Sequence, residues 1–187
     1  TQFSLGVSSF SFIMDKTVPT IGISGPPVQG NAYTSTNIGQ SGSGTLLKGT
    51  DSDPGSLATG LKRIQLRLSY SFSGDTYYWD GVQFSSSTVN ATTAWQSINN
   101  PGPSWTYPTD IVWPTDQSHA MTLEARGEDK ALDSSGSGPG NISAASNMAV
   151  DQIQFNLDIV KPQGAVTEPA TLSKLKALTT ITGTATD

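Results

Sequence analysis

Six of the fifteen carboxylates in this 187-residue chain fall in three turn-rich stretches: Asp15 in "DKTVP", Asp51 and Asp53 in "GTDSDPGS", and Glu128, Asp129 and Asp133 in "GEDKALDSS". Carboxylates set among Gly and Ser suit a hard cation, because calcium takes about six to eight oxygen ligands, mostly carboxylate and carbonyl. "DSDPGS" offers only two acidic positions before its pattern stops, so it is not an EF-hand loop. One ion would therefore need ligands from more than one stretch. Kept apart by the fold, the same residues are ordinary solvated turn formers.

A second candidate chemistry is stacking on sugars. Tyr77, Tyr78, Trp79, Trp95, Trp105, Tyr107 and Trp113 crowd the middle of the chain, and Tyr77 and Trp79 are the rings expected to be exposed for a glycan. In a chain of modest aliphatic content the same rings also serve as core. Nucleophilic and redox chemistry find little footing. His119 is the single histidine, there is no cysteine, and no G-x-S-x-G elbow occurs. The acids lie in loops and not beside the rings, where a glycosidase would pair them. No enzyme is expected, and no cofactor is required beyond a possible calcium ion.

The elements that must position these groups are strands. Gly (19) and Pro (11) are frequent, charged residues make up 13%, and Ser, Thr and Asn fill the polar positions, which argues for many turns and against long helices. "LKRIQLRLSYSF" puts Ile64, Leu66, Leu68, Tyr70 and Phe72 on one face, and "HAMTLEAR" does the same for Met121, Leu123 and Ala125. "YYWDGVQF" places Asp80-Gly81 between two aromatic arms, a strong hairpin signal. In "NMAVDQIQFNLDIV" the phase slips: Met148 and Val150 share one parity, Ile153, Phe155, Leu157 and Ile159 the other, which predicts a β-bulge near Asp151–Gln152. A net charge of −5 without a basic stripe speaks against nucleic acid. No run of 18 apolar residues predicts a membrane span, and the first residues lack the pattern of a signal peptide.

The chain repeats itself. At an offset of 143 residues Leu5, Val7, Phe10, Phe12 and Met14 fall on Met148, Val150, Ile153, Phe155 and Leu157, with Asp15 on Asp158, Ile23 on Val166 and Pro26 on Pro169. At 134 residues Gly49-Thr50 fall on Gly183-Thr184 and Asp53 on Asp187. The expected organisation is a closing strand of a preceding repeat at 1–15, a complete repeat at 16–160, and the opening strands of a following repeat at 161–187. The end strands could alternatively pair with identical subunits.

"PTIGISGP", "LKGTDSDPGS", "IQLRLSY", "YYWDGVQF", "AWQSINNPGPSWTY" and "LEARGEDKA…GNIS", in that order, resemble the bacterial Ig-like repeats of large secreted or cell-surface proteins. The resemblance implies an all-β, Ig-like antiparallel sandwich without an active site. Met121 stands where the pattern usually has Tyr, so a tyrosine corner is not expected. Ig topology would gather Asp15, Asp51, Asp53, Glu128, Asp129 and Asp133 at the N-terminal pole as a calcium site. The function so implied is structural: an extracellular domain of a bacterial stalk, sheath or filament, with neighbouring repeats or identical subunits as partners. The alternative is an adhesin-type module that binds a glycan or a surface partner through exposed rings.

Overall fold

A computed structural model describes residues 12, 14–27, 29–42, 46–99, 101–132, 137–170, 174, 176–177 and 180–187, and the residues aligned by offset at 1–11 lie outside that set. Among the described residues every regular element is a strand. A three-stranded sheet runs in the order β1 (Thr20–Gly25), β3 (Lys48–Ser52), β8 (Ser104–Thr106). A larger sheet has the order β2 (Ala32–Thr34), β10 (Gln152–Asp158), β9 (His119–Asp129), β4 (Leu61–Phe72), β5 (Asp75–Trp79), β6 (Phe84–Ser85). In it β7 (Gln96–Asn99) also pairs with β4. All pairings are antiparallel except β2 on β10, which is parallel.

The strand parities behave as their alternation predicts. Ile64, Leu66, Leu68 and Tyr70 of β4, Met121, Leu123 and Ala125 of β9, and Ile153, Phe155 and Leu157 of β10 all enter one core. Phe72, at the end of β4, is 37% exposed. The small sheet contributes Ile21 and Trp105. Because three short strands offer few apolar residues, Ile38, Leu47, Tyr107, Ile111 and Trp113 from the connecting segments complete its side of the core. Gly127 lets the layers close: a Cβ there would sit 2.7 Å from Ile21 Cδ1 and 2.9 Å from Pro19 Cβ. The Asp80-Gly81 hairpin forms as a four-residue loop. Asp80 Oδ1 accepts from the amides of Val82 (2.9 Å) and Gln83 (2.8 Å), and Gly81 takes φ +101°.

The phase slip before β10 has another cause than a bulge. Residues 147–151 make a turn in which the Asn147 carbonyl accepts from Val150, Asp151 and Gln152, and Ala149 adopts φ 63°. Asp151 Oδ1 accepts from the Asn147 amide at 2.6 Å and fastens the turn. Met148 and Val150 are therefore about half exposed, 47% and 48%, and only the parity after the turn is core.

A separate two-stranded ladder, β11 (Gln163–Glu168) with β12 (Thr182–Thr186), repeats the β1–β3 pairing. Thr20↔Ser52, Ile21↔Asp51, Gly22↔Thr50 and Ile23↔Gly49 correspond to Gln163↔Thr186, Gly164↔Ala185, Ala165↔Thr184 and Val166↔Gly183. The register shift falls at the same step in each, Ile23/Gly25 and Val166/Glu168. These offsets are the 143 and 134 of the sequence. All residues of β11 and β12 are exposed.

Candidate metal centre at the N-terminal pole

Asp15 lies just before β1, Asp53 just after β3, and Asp129 at the end of β9; one ligand oxygen of each falls within 4.8 Å of the others. Asp15 closes a tight turn: its Oδ1 accepts from Thr17 N (3.0 Å) and Thr17 Oγ1 (2.7 Å), while Oδ2 accepts from Thr59 N (2.9 Å) and Thr59 Oγ1 (3.1 Å). Those bonds, led by the Thr17 hydroxyl, hold its carboxyl below the ordinary value. Asp129 is fully buried and accepts from Ala131 N (2.9 Å), Asn141 N (2.8 Å) and Asn141 Nδ2 (2.7 Å). The Asn141 amide also reaches the Asp15 carbonyl at 3.2 Å, tying two of the three stretches together.

Asp53 is less well served. Its Oδ2 accepts from Gly60 N at 2.6 Å, but Oδ1 is shielded from solvent without a partner. Like charges this close repel by roughly 3–4 kcal/mol per pair at an effective dielectric near 20. A hard cation would reverse that sign. With calcium–oxygen distances of about 2.3–2.6 Å, oxygens on opposite sides of one ion lie about 5 Å apart, which matches this cluster. The residues present thus fit the ion in type, in spacing and in an oxygen left over.

The other three acids expected here behave differently. Asp51 lies on β3 opposite Ile21; its Oδ2, like Asp53 Oδ1, is shielded without a partner, but it is not one of the three acids whose oxygens converge, and burial pushes its carboxyl up. The Glu128 side chain, 1% exposed, accepts from Lys62 Nζ at 2.7 Å and from Arg63 Nε at 2.5 Å, so it serves an ion-pair network and not the cluster. Burial alone would raise Glu128, but the Lys62 and Arg63 bonds outweigh it and hold the carboxyl below its ordinary value. Asp133 lies outside the described residues.

The rings also sort differently from the expectation. Trp79 is 2% exposed, and its Nε1 donates to the buried Tyr107 hydroxyl at 3.0 Å. It is core, not a glycan platform, because β5 turns it inward where the aliphatic supply is thin. Tyr77 is half-buried and stacks on Tyr70 with centroids 5.0 Å apart and planes 6° from parallel. Trp105 and Trp113 donate to the carbonyls of Thr50 (3.2 Å) and Ile38 (2.9 Å). Trp95, one of the seven rings but not one of the two expected to be exposed, is half-buried and lies against Arg126 and Arg67 at 4.0 and 4.5 Å. The signal was present in "KRIQLR" and "LEARGE", whose polar parities carry all three arginines of the chain. His119 is 5% exposed and bonds Asp116 at 3.0 Å.

Comparison of the chain with protein-family models, with curated proteins and with solved structures found no match.

Proposed function

We propose that this chain is a structural repeat of an extracellular bacterial stalk, sheath or filament, with one Ig-like sandwich at 16–160 and the opening strands of a second at 161–187. The observation that carries this reading is the β11–β12 ladder, which copies the β1–β3 ladder in register, in strand order and in the place of its irregularity. The Asx turn ahead of it is copied as well. Thr17 N donates to Asp15 Oδ1 at 3.0 Å, and Val160 N, 143 positions on, donates to Asp158 Oδ1 at 3.0 Å. The strand order supports the Ig-like assignment: β1-β3-β8 forms one sheet and β2-β10-β9-β4-β5-β6 the other, where β5 and β6 extend the sheet beyond its central β10-β9-β4.

An isolated two-stranded ladder is marginal in water. A ladder of exposed residues that reproduces a packed one is what the start of a further sandwich looks like. Asp15 and Asp53 at the first pole have Asp158 and Asp187 as their counterparts, and both of these line one cleft beside Ser118 and His119. In this reading Asp15, Asp53 and Asp129 bind calcium and stiffen the point where the chain passes from one repeat into the next. Neighbouring repeats, or identical subunits, are then the partners.

Electron microscopy of the native material, with the intact mass of its subunit, tests this. Beaded threads of a large chain, or ordered filaments of small subunits, support it. A native particle with a single sandwich and no repeat overturns it. The adhesin alternative loses the Trp79 platform on which it stood.

A further inference from the structure

The three arginines of the chain, Arg63, Arg67 and Arg126, lie on the face of the β4–β9 pair turned away from the core. Register sets Arg63 opposite Glu128 and Arg67 opposite Glu124, but sets Arg126 opposite the neutral Gln65. Arg63 and Lys62 close on Glu128. Arg67 grips Glu124 with Nε (2.6 Å) and Nη2 (2.9 Å) and gives Nη1 to the Ala91 carbonyl. Arg126 donates Nε to Gln65 Oε1 at 3.0 Å and rests with its guanidinium carbon 4.0 Å from the Trp95 ring centroid. Its two terminal amino groups make no hydrogen bond or ion pair with the described residues. Both carboxylates of this face are bonded to other cations, so Arg126 is a half-buried cation without an ion-pair partner among the described residues. Burial, then the charges of Arg67 and Arg63, draw its pKa below the ordinary value, against the opposing pull of Glu128 and Glu124.

Beside it opens a cleft of about 370 Å³ whose lining includes Arg126, Arg67, Trp95, Thr92, Ser143 and Ala144; of its two arginines, Arg67 is already paired with Glu124. Ser143 Oγ accepts from Gly127 N at 2.8 Å, which leaves its hydroxyl hydrogen to donate. A free guanidinium fork matches a planar carboxylate in two parallel bonds. One unpaired cation, and not two, matches a single negative charge better than a phosphate dianion. The volume lies in the range of small-ligand sites, and the Thr92 and Ser143 hydroxyls can exchange hydrogen bonds with those of a sugar.

We propose that this cleft binds a carboxylate-bearing sugar, one uronate residue of an acidic polysaccharide, through the terminal amino groups of Arg126. The site stands apart from the repeat reading, since no residue of β11 or β12 takes part. It recovers carbohydrate binding at a different ring from the one the sequence suggested.

The test is titration of the 187-residue chain with trigalacturonate, its methyl ester and hexaglutamate, followed by indole N–H NMR. The Trp95 signal is expected to move with trigalacturonate alone, while the signals of Trp79, Trp105 and Trp113, bonded elsewhere, stay in place. Arg126→Gln is expected to weaken binding about tenfold or more, the loss of a charge-assisted hydrogen bond pair. Ala144→Glu keeps Arg126 but gives it an internal carboxylate, and should abolish binding in a protein that remains folded. No movement of Trp95, equal binding of the methyl ester or of hexaglutamate, or undiminished binding by folded Arg126→Gln overturns the proposal.

Discussion

Gly49 and Gly183 occupy the same point in two ladders 134 residues apart. A Cβ on Gly49 would run into the carbonyl oxygen of Gly22, and a Cβ on Gly183 into that of Ala165, the residue 143 positions after Gly22. The surroundings differ in one respect. Gly49 is also covered by the Trp105 ring from β8, while among the described residues no third strand pairs with β12.

Gly49→Ala is accordingly expected to destabilise the sandwich by about 2–3 kcal/mol, the penalty of overpacking a closed site. Gly183→Ala should leave the main unfolding transition where it is, because β11 and β12 contribute nothing to the core. Denaturant titration of both variants checks this. An equal loss at both would mean that the second ladder shares the cooperative unit of the first.

Tyr107→Phe strands the buried Trp79 N–H and should cost about 1–2 kcal/mol. Trp79→Ala, which empties a fully buried site, should cost about 3–5 kcal/mol. Near-UV circular dichroism with urea titration reads both, and an unchanged midpoint in Trp79→Ala would place that ring outside the core.

Calcium is expected to raise the melting temperature, and a chelator to remove the gain. At a hundredfold excess over the dissociation constant the stabilisation is about 2.7 kcal/mol. Asp53→Asn should abolish the response, and Asp51→Asn should keep it, since Asp51 belongs to no such cluster among the described residues. A melting curve indifferent to calcium refutes the metal reading of Asp15, Asp53 and Asp129.

Acid sensitivity should trace to Glu128. Its folded pKa is lowered, so its contribution is present above the unfolded carboxylate value of about 4.3 and is lost as pH falls through the folded value. Glu128→Gln should flatten that acid limb and cost about 1–3 kcal/mol at neutral pH, where Lys62 and Arg63 lose their buried partner. Asp51 has the opposite sign: its folded pKa is raised, so its contribution is present at low pH and lost as pH rises through the folded value. Asp51→Asn should therefore raise stability at neutral pH. Melting temperatures between about pH 3 and pH 7 separate the two.

Much of the architecture was legible in the residues because strand parity is a local property with a period of two. Ile64, Leu66, Leu68 and Tyr70, or Met121, Leu123 and Ala125, must share a side of their strands whatever surrounds them. The Asp80-Gly81 loop was legible because its bonds lie within four residues. The correspondence of β11–β12 with β1–β3 was legible because two ladders paired alike need like residues at like steps.

What only the tertiary structure decided is what meets each side. Parity could not say that Trp79 turns onto Tyr107 while Trp95 lies against Arg126, since that depends on which segment covers each sheet face. Nor could it say that Met148 and Val150 belong to a turn, because a turn and a bulge leave the same phase slip. Of the six pole carboxylates, Asp15, Asp53 and Asp129 converge, while Glu128 is drawn to Lys62 and Arg63 and Asp51 keeps an oxygen shielded without a partner. Convergence of side chains 38 to 114 positions apart is set by how loops cross a pole, and the spacing of residues along one strand carries no record of that path.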